Sequence, residues 1–113
     1  GCIYFIASGD DASVKIGFSK NAQSRLHTLQ TGSPERLRTI RSFLACSECE
    51  RRLHEALREF HIHLEWFTYS ELIQDLVDEL IYCVRGNHAE DAFTVKDIDD
   101  AIAYVREELA FAE

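Results

Sequence analysis

The start of the chain alternates short apolar runs with polar turns. Residues 2–8 and 13–18 are rich in β-branched and aromatic side chains, and residues 9–12 between them have the composition of a turn. This pattern is typical of a β-hairpin. Residues 37–44 alternate in the same way after the helix-breaking stretch 31–34, and they predict a third strand.

Two segments in the first half of the chain place apolar residues at helical spacing. Asn21 can cap a helix over residues 22–29, and Ser47 can cap a second helix that continues to about Phe60. The apolar side chains of each segment fall on one face, so we expect both helices to flank the sheet.

Two more helices are predicted toward the C-terminus. Ser70 can cap the first, whose apolar stripe ends at Gly86 and Asn87. Thr94 followed by Asp97 is a capping-box-like start for the second. Both segments carry apolar residues on one face and many carboxylates elsewhere.

The predicted order of elements is ββαβααα, which indicates an α+β fold. We expect a small antiparallel three-stranded sheet flanked by helices, with a ββαβα core and extra C-terminal helices. The core domain covers residues 1–84, and residues 85–113 are expected to form a hinge and a helical extension packed on the same domain. With 113 residues and 46% hydrophobic composition, the chain can bury one core without metal or disulfide support.

Charge is distributed unevenly along the chain. Residues 1–67 contain nine Lys or Arg and eight Asp or Glu, whereas residues 68–113 contain three and twelve. The net charge of −8 therefore belongs to the C-terminal part, and the first part can still present a basic face to an anionic partner. Tight binding of DNA by this segment alone is not favoured.

The cellular setting is indicated by apolar runs and cysteines. No apolar run reaches the ~20 residues that span a bilayer, so no membrane partner is expected. Cys2, Cys46, Cys49 and Cys83 are too few and too scattered for a disulfide framework, which favours a reducing cytoplasm. Because the chain opens on Gly1 almost directly before a strand, we expect a missing flanking domain or a protein partner.

The hairpin register brings a candidate site together. If the turn is centred on residues 9–12, Tyr4 lies opposite Gly17 and Ile6 lies opposite Lys15, and all four share one face. Lys15 is then diagonal to Tyr4 at about 7–8 Å between backbones, a gap that its side chain can close. Because Gly17 lacks a side chain, we expect open space above Tyr4.

Taken singly, the polar residues near these elements have ordinary structural explanations. Tyr4 and Lys15 would be packing or solvated strand residues, and Arg25 beside an apolar stripe would extend its charge to solvent. His54 lies roughly opposite the stripe of its helix, where a solvated histidine is usual. Glu65 precedes two aromatic residues and could be a charge beside an aromatic cluster.

Taken together, the segments match a known pattern. Their order is Cys2-Ile3-Tyr4, Val14-Lys15-Ile16-Gly17, Arg25-Leu26, Leu29-Gln30-Thr31-Gly32, Leu53-His54 and Glu65-Trp66-Phe67. Over about residues 2–80 the chain resembles the GIY-YIG nuclease superfamily, in particular the phage and bacterial branch with KIG and GEWF-like motifs. Cys2 and Leu64 replace two motif glycines, and the second replacement is expected to alter the backbone beside Glu65.

The resemblance implies a role for each of five residues. One divalent ion, Mg²⁺ or Mn²⁺, would bind chiefly through Glu65. Tyr4 would take a proton from the attacking water or orient it, and Lys15 together with the metal would favour its phenolate. Arg25 would hold the scissile phosphate, and His54 would assist proton transfer or contact a phosphate.

The resemblance thus implies a metal-dependent endonuclease that hydrolyses phosphodiester bonds in nucleic acid, with DNA as the expected substrate. The alternatives are a catalytically degenerate nuclease-like module that binds nucleic acid or protein, and an interaction module whose acidic helices imitate DNA. A zinc site formed by Cys46, Cys49, His61 and His63 is disfavoured, because a continuous helix would hold Cys49 and His61 about 18 Å apart.

Overall fold

The computed structural model describes residues 1–86 and 92–112. Its strands are β1 (Cys2–Ala7), β2 (Ser13–Ser19), β3 (Arg38–Leu44), β4 (His61–His63) and β5 (Trp66–Thr68). Its helices are α1 (Ala22–Thr31), α2 (Glu48–Ala56), α3 (Glu71–Gly86) and α4 (Val95–Ala112), with a 3₁₀ turn at Arg58–Phe60. The predicted α+β class is confirmed. Asn87 and most of the expected hinge lie outside the described residues.

The sheet formed by the described residues has five antiparallel strands in the order β3-β1-β2-β5-β4. The prediction of three strands is wrong, because β4 and β5 contain three residues each and so carry too little alternation to be recognised. They form a hairpin that extends the sheet beside β2. The predicted register of β1 and β2 is confirmed, with Tyr4 opposite Gly17 and Ile6 opposite Lys15.

The sheet is covered on both faces, and the alternation along β1 decides which residues point to each side. Ile3 and Phe5 enter the larger core, to which α2, α3 and α4 also contribute. Tyr4 and Ile6 point to the opposite face, where they meet the apolar side of α1. The acidic C-terminal helices and α1 therefore lie on opposite sides of the sheet.

Side-chain hydrogen bonds fix three helix starts as predicted. Asn21 Oδ1 accepts the backbone N–H of Ser24 at 3.1 Å and begins α1. Ser70 Oγ accepts an N–H in the first turn of α3 at 3.4 Å. Before α4, Asp97 Oδ2 accepts the N–H of Thr94 at 2.8 Å while Thr94 Oγ1 accepts the N–H of Asp97 at 3.3 Å.

Helix α2 differs from its prediction at both ends. Ser47 already has helical backbone angles and its hydroxyl makes no capping hydrogen bond, so it is not the predicted cap. The helix ends at Ala56 instead of continuing to Phe60, and the 3₁₀ turn redirects the chain into β4. This early end allows the β4–β5 hairpin to form, and Glu65 lies in the turn of that hairpin.

Helix α4 completes the larger core. It packs against α2 and α3, and its buried residues are Ile98, Ala101, Ile102 and Val105. Arg106 contacts Glu59 at 2.6 Å, and Arg52 on α2 pairs with Asp99. Although α4 has 18 residues, none of the helices within residues 1–86 and 92–112 has both the length and the apolarity to cross a membrane.

Candidate functional site

The Tyr4 side chain crosses β2 directly above Gly17. A Cβ atom added at Gly17 would overlap Tyr4 Oη and Cζ, so any other residue at this position would displace the ring. The expected open space above Tyr4 is therefore wrong, since the ring of Tyr4 itself fills it. Gly17 is needed for this close approach, and it lets a nearly fully buried phenol reach across the hairpin toward the far edge of β2.

Helix α1 positions Arg25 at the phenol. Ala22 and Leu26, on the apolar side of α1, pack against the cluster that contains Tyr4 and Ile6, which fixes the rotation of the helix. Arg25 Nε donates to Tyr4 Oη over 3.4 Å, and the rest of the guanidinium is exposed to solvent. An anion that approaches Tyr4 would thus meet a cation that is free to bind it.

Lys15 forms an ion pair with Glu65. Lys15 Nζ lies 3.3 Å from Glu65 Oε2, and it also lies over the ring of Trp66, 5.7 Å from the ring centre. Lys15 was expected to approach Tyr4, but its Nζ instead pairs with the carboxylate of Glu65. Within the described part of the chain, Glu65 Oε2 is buried and has no hydrogen-bond donor, so the ion pair leaves this oxygen incompletely satisfied.

Glu50 is a site residue that the sequence interpretation missed. Its carboxyl group is in hydrogen-bonding contact with that of Glu65, and burial, followed by the charge of Glu65, raises the pKa of Glu50 to about 7. Lys15 and Arg25 act in the opposite direction and lower it. One signal was available in the sequence: Glu50 precedes His54 by four residues, so the two share a helix face.

His54 fastens α2 to β2. Its Nε2 lies 2.8 Å from the carbonyl oxygen of Ile16, and since a carbonyl can only accept, Nε2 carries the proton. The ring packs edge-on against Phe67 at 4.9 Å, and Nε2 lies 3.9 Å from Glu50 Oε1. His54 is therefore only partly exposed, unlike the solvated histidine that is usual on that helix face. Within the described residues the edge of β2 beyond Lys15 has no strand partner, and His54 occupies it.

The pKa of Tyr4 is raised in this environment. Burial is the main cause, and the negative charges of Glu65 and Glu50 add to it, whereas the hydrogen bond and charge of Arg25 lower it. Arg25 therefore favours the phenolate, but its effect is smaller than that of burial and the two carboxylates together. Additional positive charge is required before Tyr4 ionises near neutral pH.

The residues considered for zinc binding fall into two separate groups. Cys46 and Cys49 place their sulfur atoms 3.0 Å apart, and Cys49 Sγ donates to the carbonyl of Phe93. Burial raises the pKa of Cys49 to about 12, which keeps it a thiol. His61 instead bonds to the carbonyl of Leu64 at 2.7 Å, within the β4–β5 turn.

A groove of about 580 Å³ opens beside the site along α2. Its lining residues are Ser47, Glu50, Arg51, His54, Glu55, Arg58 and His61. Glu50 and His54 belong to both the groove and the site, so solvent and small ions can reach Glu50 from this side.

A comparison with protein families matches residues 1–88 to the T5orf172 domain. The chain belongs to the T5orf172 domain family. The T5orf172 domain contains the whole described sheet and helices α1 to α3, whereas α4 lies beyond the match. The family is associated with phages and with endonuclease-like proteins. Comparisons with curated proteins and with solved structures found no match.

The T5orf172 domain brings all five residues proposed from the sequence to one region. Tyr4 contacts Arg25, Lys15 contacts Glu65, and His54 approaches the same group through Glu50 on α2. The site therefore combines a phenol, two cations and two carboxylates next to an open groove. Such a combination can bind a phosphate and move a proton, which agrees with a nuclease-like or nucleic-acid-binding domain.

Proposed function

We propose that this T5orf172 domain is the catalytic module of a GIY-YIG-type endonuclease that hydrolyses phosphodiester bonds in DNA. The observation that carries the proposal is the convergence of Tyr4 and Arg25 with Lys15 and Glu65. These four residues come from three strands or turns and one helix, and each supplies a different group needed at a phosphodiester. A packing role alone does not require this combination of charges on one side of the sheet.

Arg25 is proposed to bind the scissile phosphate and to stabilise the charge that develops on it. Its guanidinium is exposed except for the contact with Tyr4, so it has free donors for phosphate oxygens. Tyr4 is then held beside that phosphate, where its oxygen can orient the attacking water or take its proton. His54 holds the edge of β2 and thereby keeps Lys15 in position.

The carboxylates fit a divalent cation, Mg²⁺ or Mn²⁺. In the part of the chain that the structure describes, Glu65 Oε2 is a buried oxygen with no hydrogen bond of good geometry besides its ion pair with Lys15, and carboxylate oxygens are the ligands that these ions prefer. Among the described residues, no group of three or more Asp, Glu, His or Cys is arranged as a complete metal cage. A sparse site is consistent with Mg²⁺, which keeps several waters and uses substrate phosphate. When bound, the ion would supply positive charge that favours ionisation of Tyr4 and stabilises the phosphate.

The acidic net charge is compatible with a DNA substrate because the charge is separated in space. Asp75, Asp78 and Glu108 line a second groove between α3 and α4, on the side of the sheet opposite α1. A flanking domain or protein partner is proposed to supply further affinity. A DNA substrate also agrees with the cytoplasmic setting indicated by the cysteines.

A nicking assay on supercoiled plasmid tests the proposal. Wild-type protein should nick plasmid with Mg²⁺ and should not do so in EDTA. Glu65→Gln keeps the size of the side chain but removes its charge, so this variant should bind DNA at least as well and fail to nick. Arg36→Ala removes an exposed arginine that lies outside the site and serves as the control. Wild-type nicking by Glu65→Gln would contradict the mechanism, and DNA binding without any Mg²⁺-dependent nicking would favour a degenerate binding module.

A further inference from the structure

We propose that Glu50 is a second carboxylate ligand of the divalent cation and that it holds the ion jointly with Glu65. This inference rests on the proposed function, because it takes the ion of that reaction as its ligand. It adds a residue of α2 to a metal site that the resemblance assigns chiefly to Glu65.

Two separate parts of the fold bring the carboxylates together. Glu50 lies in the first turn of α2, whereas Glu65 lies in the turn between β4 and β5. Their carboxyl groups are nevertheless in hydrogen-bonding contact. When both groups are ionised, their like charges repel each other, and either a proton held between them or a positive ion relieves this repulsion.

The cations already present do not remove this repulsion. Lys15 Nζ lies 3.3 Å from Glu65 Oε2, but one ammonium group cannot neutralise two carboxylates. Across the residues that the structure describes, Glu65 Oε2 is buried and makes no hydrogen bond of good geometry besides this ion pair. Arg25 is directed to Tyr4. A divalent cation held by Glu50 and Glu65 would neutralise both charges and satisfy this oxygen at the same time.

Glu50 is accessible to an ion, and its position on α2 is fixed. Its side chain is a quarter exposed, and it lines the groove along α2, so a hydrated ion can reach it. One turn later, His54 bonds to the Ile16 carbonyl and fixes the rotation of α2 about its axis. The approach of Glu50 to Glu65 is therefore organised before an ion arrives, which reduces the free energy needed to assemble the site.

Mn²⁺ binding to the complete chain without DNA tests the inference directly. The measurement is a titration followed by the electron paramagnetic resonance of free Mn²⁺, with folding of each variant checked by circular dichroism. We expect saturable binding by the wild type and at least ~10-fold weaker binding by Glu50→Gln and by Glu65→Gln. Glu55→Gln, a surface carboxylate on the same helix, should bind as the wild type does. Glu50→Asp keeps the charge and should retain more affinity than Glu50→Gln.

The outcomes separate this inference from the proposed function. If Glu50→Gln binds Mn²⁺ like the wild type while Glu65→Gln does not, Glu50 is not a ligand and the catalytic proposal is unaffected. If both variants bind like the wild type, or if the wild type shows no saturable binding, the ion does not occupy this carboxylate pair. Equal loss of affinity in His54→Gln and Glu50→Gln, with Glu50→Asp no better than Glu50→Gln, would make Glu50 a positioning residue and overturn the inference.

Discussion

At the scale of single residues, Tyr4 and Arg25 show how one hydrogen bond couples a buried acid to an exposed base. Arg25 Nε donates to Tyr4 Oη, and this contact lowers the pKa of a phenol that burial raises. The same contact raises the pKa of Arg25, so the guanidinium stays charged at every pH of biological interest. The pair therefore offers a permanent cation beside an oxygen that is protonated near neutral pH.

We predict that Tyr4→Phe and Arg25→Ala each reduce Mg²⁺-dependent nicking by at least ~100-fold, because each removes a group that acts on proton movement or transition-state charge. Since the pKa of Tyr4 is raised, its ionised fraction grows as pH rises. Wild-type nicking should therefore increase toward alkaline pH, and Tyr4→Phe should lose this increase. Plasmid nicking rates between about pH 6 and pH 9 provide the measurement, with Arg36→Ala as the control. An unchanged rate in either variant would remove that residue from the mechanism.

A second prediction concerns Glu50 and stability. Its pKa is raised from 4.5 to about 7, so its ionisation destabilises the fold; the penalty is absent below pH 4.5 and complete above pH 7. Glu50→Gln should therefore become more stable than the wild type as pH rises through this window, by on the order of 2 kcal/mol. Urea unfolding in EDTA at pH 4.5 and pH 8 measures the difference, and Glu55→Gln is the matched control. A gain that does not grow with pH would contradict the assignment.

The residue roles differ in how far the sequence could anticipate them. Tyr4 and Lys15 could be placed on one face because the side-chain alternation of a hairpin is strictly periodic. Glu50 could not be paired with Glu65, since their contact depends on where α2 lies against β2. The raised pKa of Tyr4 could not be predicted from the sequence either, because it results from the burial of the phenol and from the charges of Glu65 and Glu50.

At the scale of elements, the β4–β5 hairpin is the main departure from the predicted fold. Three-residue strands give no periodic signal, and the apolar stripe of α2 continues far enough to suggest a longer helix. Helix caps were more predictable, because Asn21, Ser70 and the Thr94–Asp97 pair act over three or four residues. The sequence therefore predicts caps that depend on neighbouring residues, whereas the pairing of short strands depends on the complete fold.

The turn of the β4–β5 hairpin contains a residue with a strained backbone conformation. Leu64 has φ = 50°, the left-handed conformation that glycine adopts without cost, and its side chain is largely exposed. A leucine in this conformation is strained, and it lies beside Glu65. Leu64→Gly should stabilise the protein by up to about 1 kcal/mol, because the steric cost disappears and little burial is lost.

Thermal unfolding measures this effect, and Leu44 provides the matched control. Leu44 is also an exposed leucine, but it lies in extended backbone at the end of β3. Leu44→Gly should destabilise the protein, since glycine weakens a strand. Equal destabilisation by the two substitutions would show that the conformation of Leu64 is not strained.

At the scale of the whole molecule, the sheet separates two electrostatic environments. Arg25 on α1 lies on one side, while the acidic groove between α3 and α4 lies on the other. The sequence indicated the imbalance between the two parts of the chain but could not show which face carried it, because that depends on the alternation of β1. DNA bound at Arg25 would meet the acidic helices only through long-range repulsion.

We predict that neutralising part of the acidic groove strengthens DNA binding modestly. The double variant Asp78→Asn/Glu108→Gln should bind DNA with an affinity raised by less than about tenfold at ~10 mM salt. The gain should fade by ~150 mM salt, because the Debye length there is about 8 Å and charges farther apart are screened from each other. Fluorescence anisotropy with a labelled duplex gives both values, and Lys96→Gln, an exposed cation on α4, should act in the opposite direction. A gain that persists at high salt would indicate direct contact between DNA and these helices.

The position of α4 has a consequence for anyone who wishes to move this domain into another protein. The family match ends at residue 88, yet α4 supplies four buried side chains to the shared core and an ion pair to α2. A chimera that transplants only the matched segment would leave the apolar faces of α2 and α3 open to solvent and prone to association with other chains. The transferable unit extends through α4, and a linker to a new DNA-targeting module belongs after that helix.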